Sequence, residues 1–399
     1  MGWGIEFKLK GIGNMFRARR FLINTLMVFI FGVSASTQVL AGFETKATHA
    51  VLMDAQSGTV LFEKQGEVLM SPASMSKLMT LTMLFEAIKD GRVALTDTFL
   101  ISENAWRKGG AASGSSTMFA KVNSRIPVES LIRGIIVQSG NDACIAVAEA
   151  LAGTEKAFAE EMTIRARELG MTRATFANST GWPDPSQKMT ASELAILARH
   201  IIVNLPKFYA YFDERRFTWN GIKQSNRNPL LYLNIGVDGL KTGHTEESGY
   251  GLVASGVSKG RRLILVINGT TSNRARSEES QRLLEWGYRE FRSYKLYSAG
   301  DVIDNADVFQ GVYDKVPLVL AQDVSLLMTR ANKRSLVAKA EWDGPLVAPV
   351  KAGQRVGVLK ISAPDMRTVR IPLLAGADVD QLGIFGRLMD AAKSMILGE

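Results

Sequence analysis

The chain has 399 residues, 46% hydrophobic and 22% charged, enough apolar content for a sizeable core in two or three domains, which excludes a disordered chain. Its one cysteine, Cys144, excludes an intramolecular disulfide, and its three scattered histidines (His49, His200, His244) lack ligand-type spacing, so neither a zinc site nor any cofactor is expected. The net charge of +9 is partly local: residues 1–41 hold five Lys/Arg against one acid, so their removal leaves +5, with no aromatic-interleaved basic stripe to suggest nucleic-acid binding.

In chain order, Lys8, Lys10, Arg17, Arg19 and Arg20 precede an apolar run from Phe21 to Phe31, and Val39-Leu40-Ala41 offers a small-residue cleavage site before Gly42. This pattern predicts a secretory signal peptide over residues 1–41 and an exported protein. A retained anchor fits less well, because the run is broken by Asn24 and falls short of the roughly 20 residues of a full span. Met15 is an alternative start.

Ala50–Asp54 and Thr59–Phe62 flank a Gly-containing turn and predict a β-hairpin. The next stretch runs Ser71-Pro72-Ala73-Ser74-Met75-Ser76-Lys77-Leu78-Met79-Thr80. Ser71 suits a helix N-cap and Pro72 the first helical position, which places Ser74 in the first turn with Lys77 three residues on, on the same face. A lysine whose pKa is depressed by burial can serve a serine hydroxyl as base. Beyond Lys77 the helix is apolar on nearly every side through Ile88, as a core helix would be. By itself S-x-x-K is common by chance, and it needs partners further along.

Residues Gly109–Ser116 form a small-residue loop, either plain surface or the mobile edge of a site. Val128–Val137 reads as a helix and a second helix starts near Asn141, so Ser139 and Asn141 fall at the corner between them; capping chemistry alone also accounts for such a corner. Cys144 lies in an apolar run and is expected to be a buried, inert thiol. Helices are predicted at 154–169 and 190–203, with a loop at 178–185 between them. From Val237 three strands form an antiparallel meander, closed by a helix over 274–292. Within it, Gly256-Val257-Ser258-Lys259-Gly260 fits G-x-S-x-G, but a strand follows where a nucleophile elbow needs a helix. Short apolar runs after Tyr294 predict a small β domain. In the tail, Ile384, Phe385, Leu388, Met389, Ala392, Met395 and Ile396 fill an arc of roughly 140° at 100° per residue, which favours an interfacial membrane anchor over a helix packed on its own domain.

Three motifs thus occur in one order: Ser74-x-x-Lys77, Ser139-Gly140-Asn141 and Lys241-Thr242-Gly243. With Pro72–Thr80, Leu131–Gly134, Gln138–Cys144 and Val237–Thr245 around them, the chain resembles the low-molecular-mass D-alanyl-D-alanine carboxypeptidases, the penicillin-binding protein 5-like serine peptidases. The resemblance covers almost the whole mature chain. It implies an α/β catalytic domain of the β-lactamase/DD-peptidase type, an antiparallel sheet flanked by helices with a helical subdomain, over residues 42–293. A small all-β, sandwich-like domain over 294–380 and a terminal amphipathic helix over 381–399 follow.

The resemblance also implies roles. Ser74 attacks the carbonyl between two terminal D-alanines of a peptidoglycan stem peptide, and β-lactam antibiotics acylate the same serine. Lys77 takes its proton, Ser139 relays a proton to the leaving amine, and Asn141 holds Lys77 and the substrate. Lys241 and Thr242 bind the terminal carboxylate, with Arg227 as a further partner, and the N–H groups of Ser74 and His244 form the oxyanion site. Gly243 leaves room for substrate along the strand edge. The implied location is the periplasm, peripheral on the inner membrane. Against a class A β-lactamase stand the glycine in Ser139-Gly140-Asn141 and the lack of a glutamate between Gly181 and Gln187, where only Asp184 is acidic. A weakly active or non-catalytic wall protein is disfavoured by the intact motifs.

Overall fold

Alternation within Val51–Met53 decides the architecture. Val51 and Met53 pack into one apolar cluster, while Ala50 and Leu52 pack into another. Strand side chains point to opposite faces in turn, so a strand apolar at every position must be covered on both. The computed structural model describes residues 43–364 and 366–388; the predicted signal peptide and most of the predicted tail helix lie outside the described residues.

The central sheet contains β1 (His49–Asp54), β2 (Val60–Lys64), β3 (Val237–Thr245), β4 (Gly249–Ser258) and β5 (Arg261–Thr270). Its order is β2-β1-β5-β4-β3, antiparallel throughout. The hairpin and the meander are therefore as expected, and β3 is an edge strand. One face is covered by the helix Asn273–Glu290 through Leu283 and Leu284. The other packs against the helical part, where Leu78, Leu81, Leu84 and Phe85 of the helix Lys77–Lys89 are fully buried.

Around that helix stand Val128–Val137, Asn141–Ala152, Glu155–Glu168 and Ala191–Asn204. Local start signals explain their bounds: Thr154 caps the third, and Thr190 with Glu193 forms a capping box on the fourth. A hairpin over Arg216–Trp219 and Ile222–Ser225 was not anticipated. Its signal is Asn220-Gly221, both at positive φ as a two-residue turn requires.

Glu86, on the helix Lys77–Lys89, ties the bundle together. Its carboxylate accepts hydrogen bonds from Arg165 at 2.7 Å and 2.9 Å and is 2.9 Å from His200 Nε2. Burial opposes its ionisation, yet the hydrogen bonds from His200 and Arg165 outweigh this and pull it down to about 2. Because the folded state lowers this pKa, its stabilisation is present above the normal carboxylate range and is lost as pH falls toward 2. Replacing Glu86 by Gln is expected to cost about 1–3 kcal/mol, read as a lower Tm at pH 7 and a smaller difference from wild type below pH 3.

After Glu290 the chain is mostly β. A two-stranded sheet pairs Arg292–Tyr297 with Val324–Met328. A six-stranded sheet runs in the order Val337–Trp342, Arg355–Ser362, Val369–Ala375, Lys315–Val319, Val302–Phe309 and Leu346–Val347. Val302–Phe309 escaped sequence reading because Asp304, Asn305 and Asp307 interrupt its apolar pattern. A separate core of Ala306, Val308, Val316, Leu318, Leu359, Ile361 and Leu373 holds this part together. Of the predicted tail helix only the first turn is described; there Ile384, Phe385 and Leu388 are exposed at 68%, 86% and 65%. Among the described residues no helix is long and apolar enough to cross a membrane.

Candidate active site

The turn that carries Ser74 begins differently from the sequence expectation. Ala73–Ser76 is a 3-10 turn leading into the helix at Lys77, and Pro72 occupies the cap position, with no side chain capping. Ser71 is buried and makes no cap. Instead Met75 N–H bonds to Pro72 O at 3.1 Å, and Ser76 Oγ donates to Ala73 O at 3.0 Å. Ala73 takes φ 46°, in the left-handed region, which costs on the order of 1 kcal/mol for a residue with a Cβ. The tighter turn still places Ser74 and Lys77 together.

Lys77 is fully buried, and its Nζ donates to Ser74 Oγ at 2.8 Å and to Thr180 O. Burial lowers its pKa to about 8; the Arg227 charge adds to this, while Cys144, Asp142 and Glu155 oppose it. Sequence reading missed Thr180. Its carbonyl is aimed by Asn178, whose Oδ1 accepts from Thr180 N, Thr180 Oγ1, Gly181 N and Trp182 N. The usable signal was Asn178-Ser179-Thr180-Gly181, an Asx-turn sequence.

The second wall is the corner before the helix Asn141–Ala152. Ser139, 2% exposed, is held at φ 57°. Its Oγ accepts from Lys241 Nζ at 3.0 Å, so the middle and last motifs touch. Asn141 is buried, and its Oδ1 has no hydrogen-bond partner among the described residues. Lys241 also donates to Thr242 O at 3.1 Å. Burial, and then the nearby charges of Lys77, Arg227 and Arg276, depress it well below the usual lysine value.

Arg227 sits between two anchored asparagines: Asn226 Nδ2 donates to Glu214 O and Asn228 Nδ2 to Gly239 O. Its Nη1 donates to Ser116 Oγ at 2.5 Å. Arg276, which sequence reading did not single out, comes from the helix Asn273–Glu290. It is 5% exposed, donates to Gly251 O and Arg227 O at 3.3 Å each, and stacks over Tyr250. Burial, assisted by Arg227 and opposed by Tyr250, lowers it to about 10. It also donates to Asn273 Oδ1 at 2.6 Å, but that local bond does not announce its place at the site, which is set by partners 25 and 49 residues away.

Thr242 is buried, and Gly243 has a packing reason as well. A Cβ there would lie 2.9 Å from Pro72 O and 3.1 Å from Met75 Cγ, so glycine lets β3 pack closely against the turn that carries Ser74. The exposed His244 stacks on Tyr250 with ring centroids 3.9 Å apart. Beyond it the cleft opens into a cavity of about 630 Å³ lined by His49, Ser71, Lys188, Glu246, Glu247 and Tyr250. Lys188 and Glu247 close its rim at 3.5 Å.

Two other candidates lie apart from this chemistry. Asp184 is on the surface, where its carboxylate accepts from Ser186 N and Oγ, and those bonds lower its pKa. Cys144 is fully buried, and burial pushes its thiol up to about 12. That matches an inert thiol.

Comparison with known proteins agrees with this arrangement. The family model described as D-alanyl-D-alanine carboxypeptidase matches residues 33–272, and one described as penicillin-binding protein 5, C-terminal domain, matches 291–381. The chain is 36% identical over 381 residues to D-alanyl-D-alanine carboxypeptidase DacD of Escherichia coli (strain K12), covering 93% of this chain and 98% of the relative. Among solved structures, penicillin binding protein 5 from Haemophilus influenzae superposes with a TM-score of 0.72 at 36% identity, covering 85% of this chain and 99% of that one. The carboxypeptidase DacD from Francisella tularensis gives 0.75 at 31% identity, with 86% and 95% covered. The chain therefore belongs to the D-alanyl-D-alanine carboxypeptidase family.

Proposed function

We propose that this serine hydrolase removes the terminal D-alanine from peptidoglycan stem pentapeptides through an acyl-enzyme on Ser74. The observation that carries the assignment of the nucleophile is the 2.8 Å contact between Ser74 Oγ and the buried Lys77 Nζ. A neutral lysine has two N–H groups and one lone pair: one N–H stays on Thr180 O while the lone pair accepts the Ser74 proton. The serine oxygen attacks the penultimate carbonyl, and the developing oxyanion is held by the N–H groups of Ser74 and His244. Ser139 relays to the leaving amine the proton that Lys77 took from Ser74, so Lys77 is again neutral, Ser139 is again a hydroxyl, and the amine departs as D-alanine. Water then hydrolyses the ester and regenerates Ser74. Asn141 Oδ1 is an acceptor for a substrate N–H.

The leaving residue carries a free carboxylate, and the cluster of Lys241, Arg227 and Arg276 suits it. Beyond the effect of burial, Arg227 and Arg276 lower the pKa of Lys241 and Arg227 lowers that of Arg276, so an anion entering among them relieves repulsion as well as gaining charge-assisted hydrogen bonds. The rest of the stem peptide runs along the edge of β3 past His244 into the 630 Å³ cavity. A penicillin, with its own carboxylate and strained amide, follows the same path and leaves a long-lived ester. Asp184, facing Ser186, offers no support for a β-lactamase base.

We further assign residues 42–293 to the catalytic domain, 294–380 to a β domain, and 381–399 to a helix that holds the exported protein on the periplasmic face of the inner membrane. The exposed Ile384, Phe385 and Leu388 support this. The test of the reaction is release of D-alanine from a D-Ala-D-Ala pentapeptide together with the intact mass after penicillin; fast penicillin turnover without D-alanine release would favour a β-lactamase. For the tail, truncation after Gly383 is expected to move the protein from the membrane to the soluble fraction. Unchanged sedimentation with membranes would reject the anchor.

A further inference from the structure

The proposed mechanism leaves one fully buried carboxylate unused. Asp142 is 0% exposed and lies in the first turn of the helix that follows Ser139-Gly140-Asn141. Its Oδ2 accepts from Thr117 Oγ1 at 2.6 Å and Ala120 N at 3.0 Å; its Oδ1 accepts from Met118 N and Ala143 N, both at 3.0 Å. Three of these four donors belong to residues 117–120. Just before them, Ala111–Ser113 buries no side chain, whereas Met118 and Ala120 pack into the main core, so the hydrogen bonds to Asp142 act beside that packing. From the other side Gln224 donates to Thr117 O at 3.1 Å.

Next to the pinned residues is Ser116. Asn141 N donates to its carbonyl at 2.8 Å, and its Oγ accepts from Arg227 Nη1 at 2.5 Å. Gly140 fits the same picture. A Cβ there would lie 2.8 Å from Asp142 Oδ1 and 3.1 Å from Met118 N, so glycine at this position keeps the carboxylate's seat open.

We infer that Asp142 is a positioning residue for recognition of the substrate's terminal carboxylate: by holding residues 117–120 it fixes Ser116, and Ser116 holds the Arg227 guanidinium at the cleft. The inference rests on the reading of Arg227 as a carboxylate partner. In Asp142→Asn an NH₂ replaces one carboxylate oxygen and faces two donors, which undoes the pin. The loop then no longer presents Ser116, and Arg227 loses its preorganised place.

The experiment compares a D-Ala-D-Ala peptide with its C-terminal methyl ester, which keeps the scissile amide and lacks the carboxylate charge, in the full chain. Asp142→Asn is expected to lower kcat/KM for the free-acid peptide roughly tenfold, mostly through KM, and to change that for the ester by less than about twofold. Ser116→Ala leaves the buried network intact and is expected to show the same selectivity loss at smaller size; it decides the matter if Asp142→Asn does not fold. Parallel loss on both substrates, or an unchanged ratio in both variants, overturns the inference. Arg227→Ala separates the readings. If it lowers the acid-to-ester ratio while Ser116→Ala and Asp142→Asn do not, only the role of Asp142 falls. If it leaves the ratio unchanged while wild type releases D-alanine, the carboxylate reading falls and takes the inference with it. No D-alanine release by wild type would sink the reaction itself.

Discussion

Ser74→Ala is expected to abolish the penicillin adduct and to lower D-alanine release by at least about 10⁴-fold, because no other hydroxyl occupies the attacking position and only binding and oxyanion stabilisation remain. Ser76 is the obvious substitute in sequence, but its Oγ is committed to Ala73 O at 3.0 Å and the residue is fully buried. Intact mass after incubation with penicillin, with peptide mapping of wild type, is the direct check. An adduct persisting in Ser74→Ala, or mapping to another residue, would remove Ser74 from the mechanism. Stability should be nearly unchanged, since Ser74 is only partly buried and its loss frees a lysine that still has Thr180 O as partner.

Lys77 carries the second large expectation, and it has a sign. Its pKa, lowered by burial to about 8, means that roughly one tenth of the free enzyme holds the neutral amine at pH 7. On the proposed mechanism the free base is the active form. The second-order rate of Ser74 acylation should therefore rise nearly tenfold per pH unit below about 8 and level off above it, until other groups titrate. Lys77→Ala is expected to lower acylation by about 10³-fold, and Lys77→Arg by a similar factor although it keeps the positive charge, because a guanidinium stays protonated and accepts nothing. A rate flat from pH 6 to 10, or an active Lys77→Arg variant, would count against a free-base role.

Much of the molecule was legible in the chain itself. The three motifs, the helix boundaries near Val128, Asn141 and Thr190, and the meander from Val237 all rest on local signals of capping, period and turn chemistry. What misled sequence reading was also local. Ser71 and Pro72 look like a standard helix start, yet the chain forms a 3-10 turn there with Ala73 at positive φ, packed closely against Gly243 of β3. The sequence pattern cannot show that contact, because Gly243 is 170 residues from Ala73. In the β domain, Val302–Phe309 was hidden because Asn305 and Asp307 lie on its wet face and Asp304 sits beside a register shift, which together break the apolar pattern.

The order of Ser74, Lys77, Ser139, Asn141, Lys241 and Thr242, and with it the family, was determined by sequence alone. Tertiary structure decided what those residues meet. The Thr180 carbonyl that shares Lys77, the Arg276 guanidinium that joins Arg227, and the Asp142 carboxylate that gathers the 117–120 loop are each supplied by contacts far apart in the chain. The physical reason is that spacing along a helix or strand can bring side chains three or four residues apart onto one face. Burial and the accumulation of like charge, which shift Lys77 and Lys241, belong to the packed state and have no local signature.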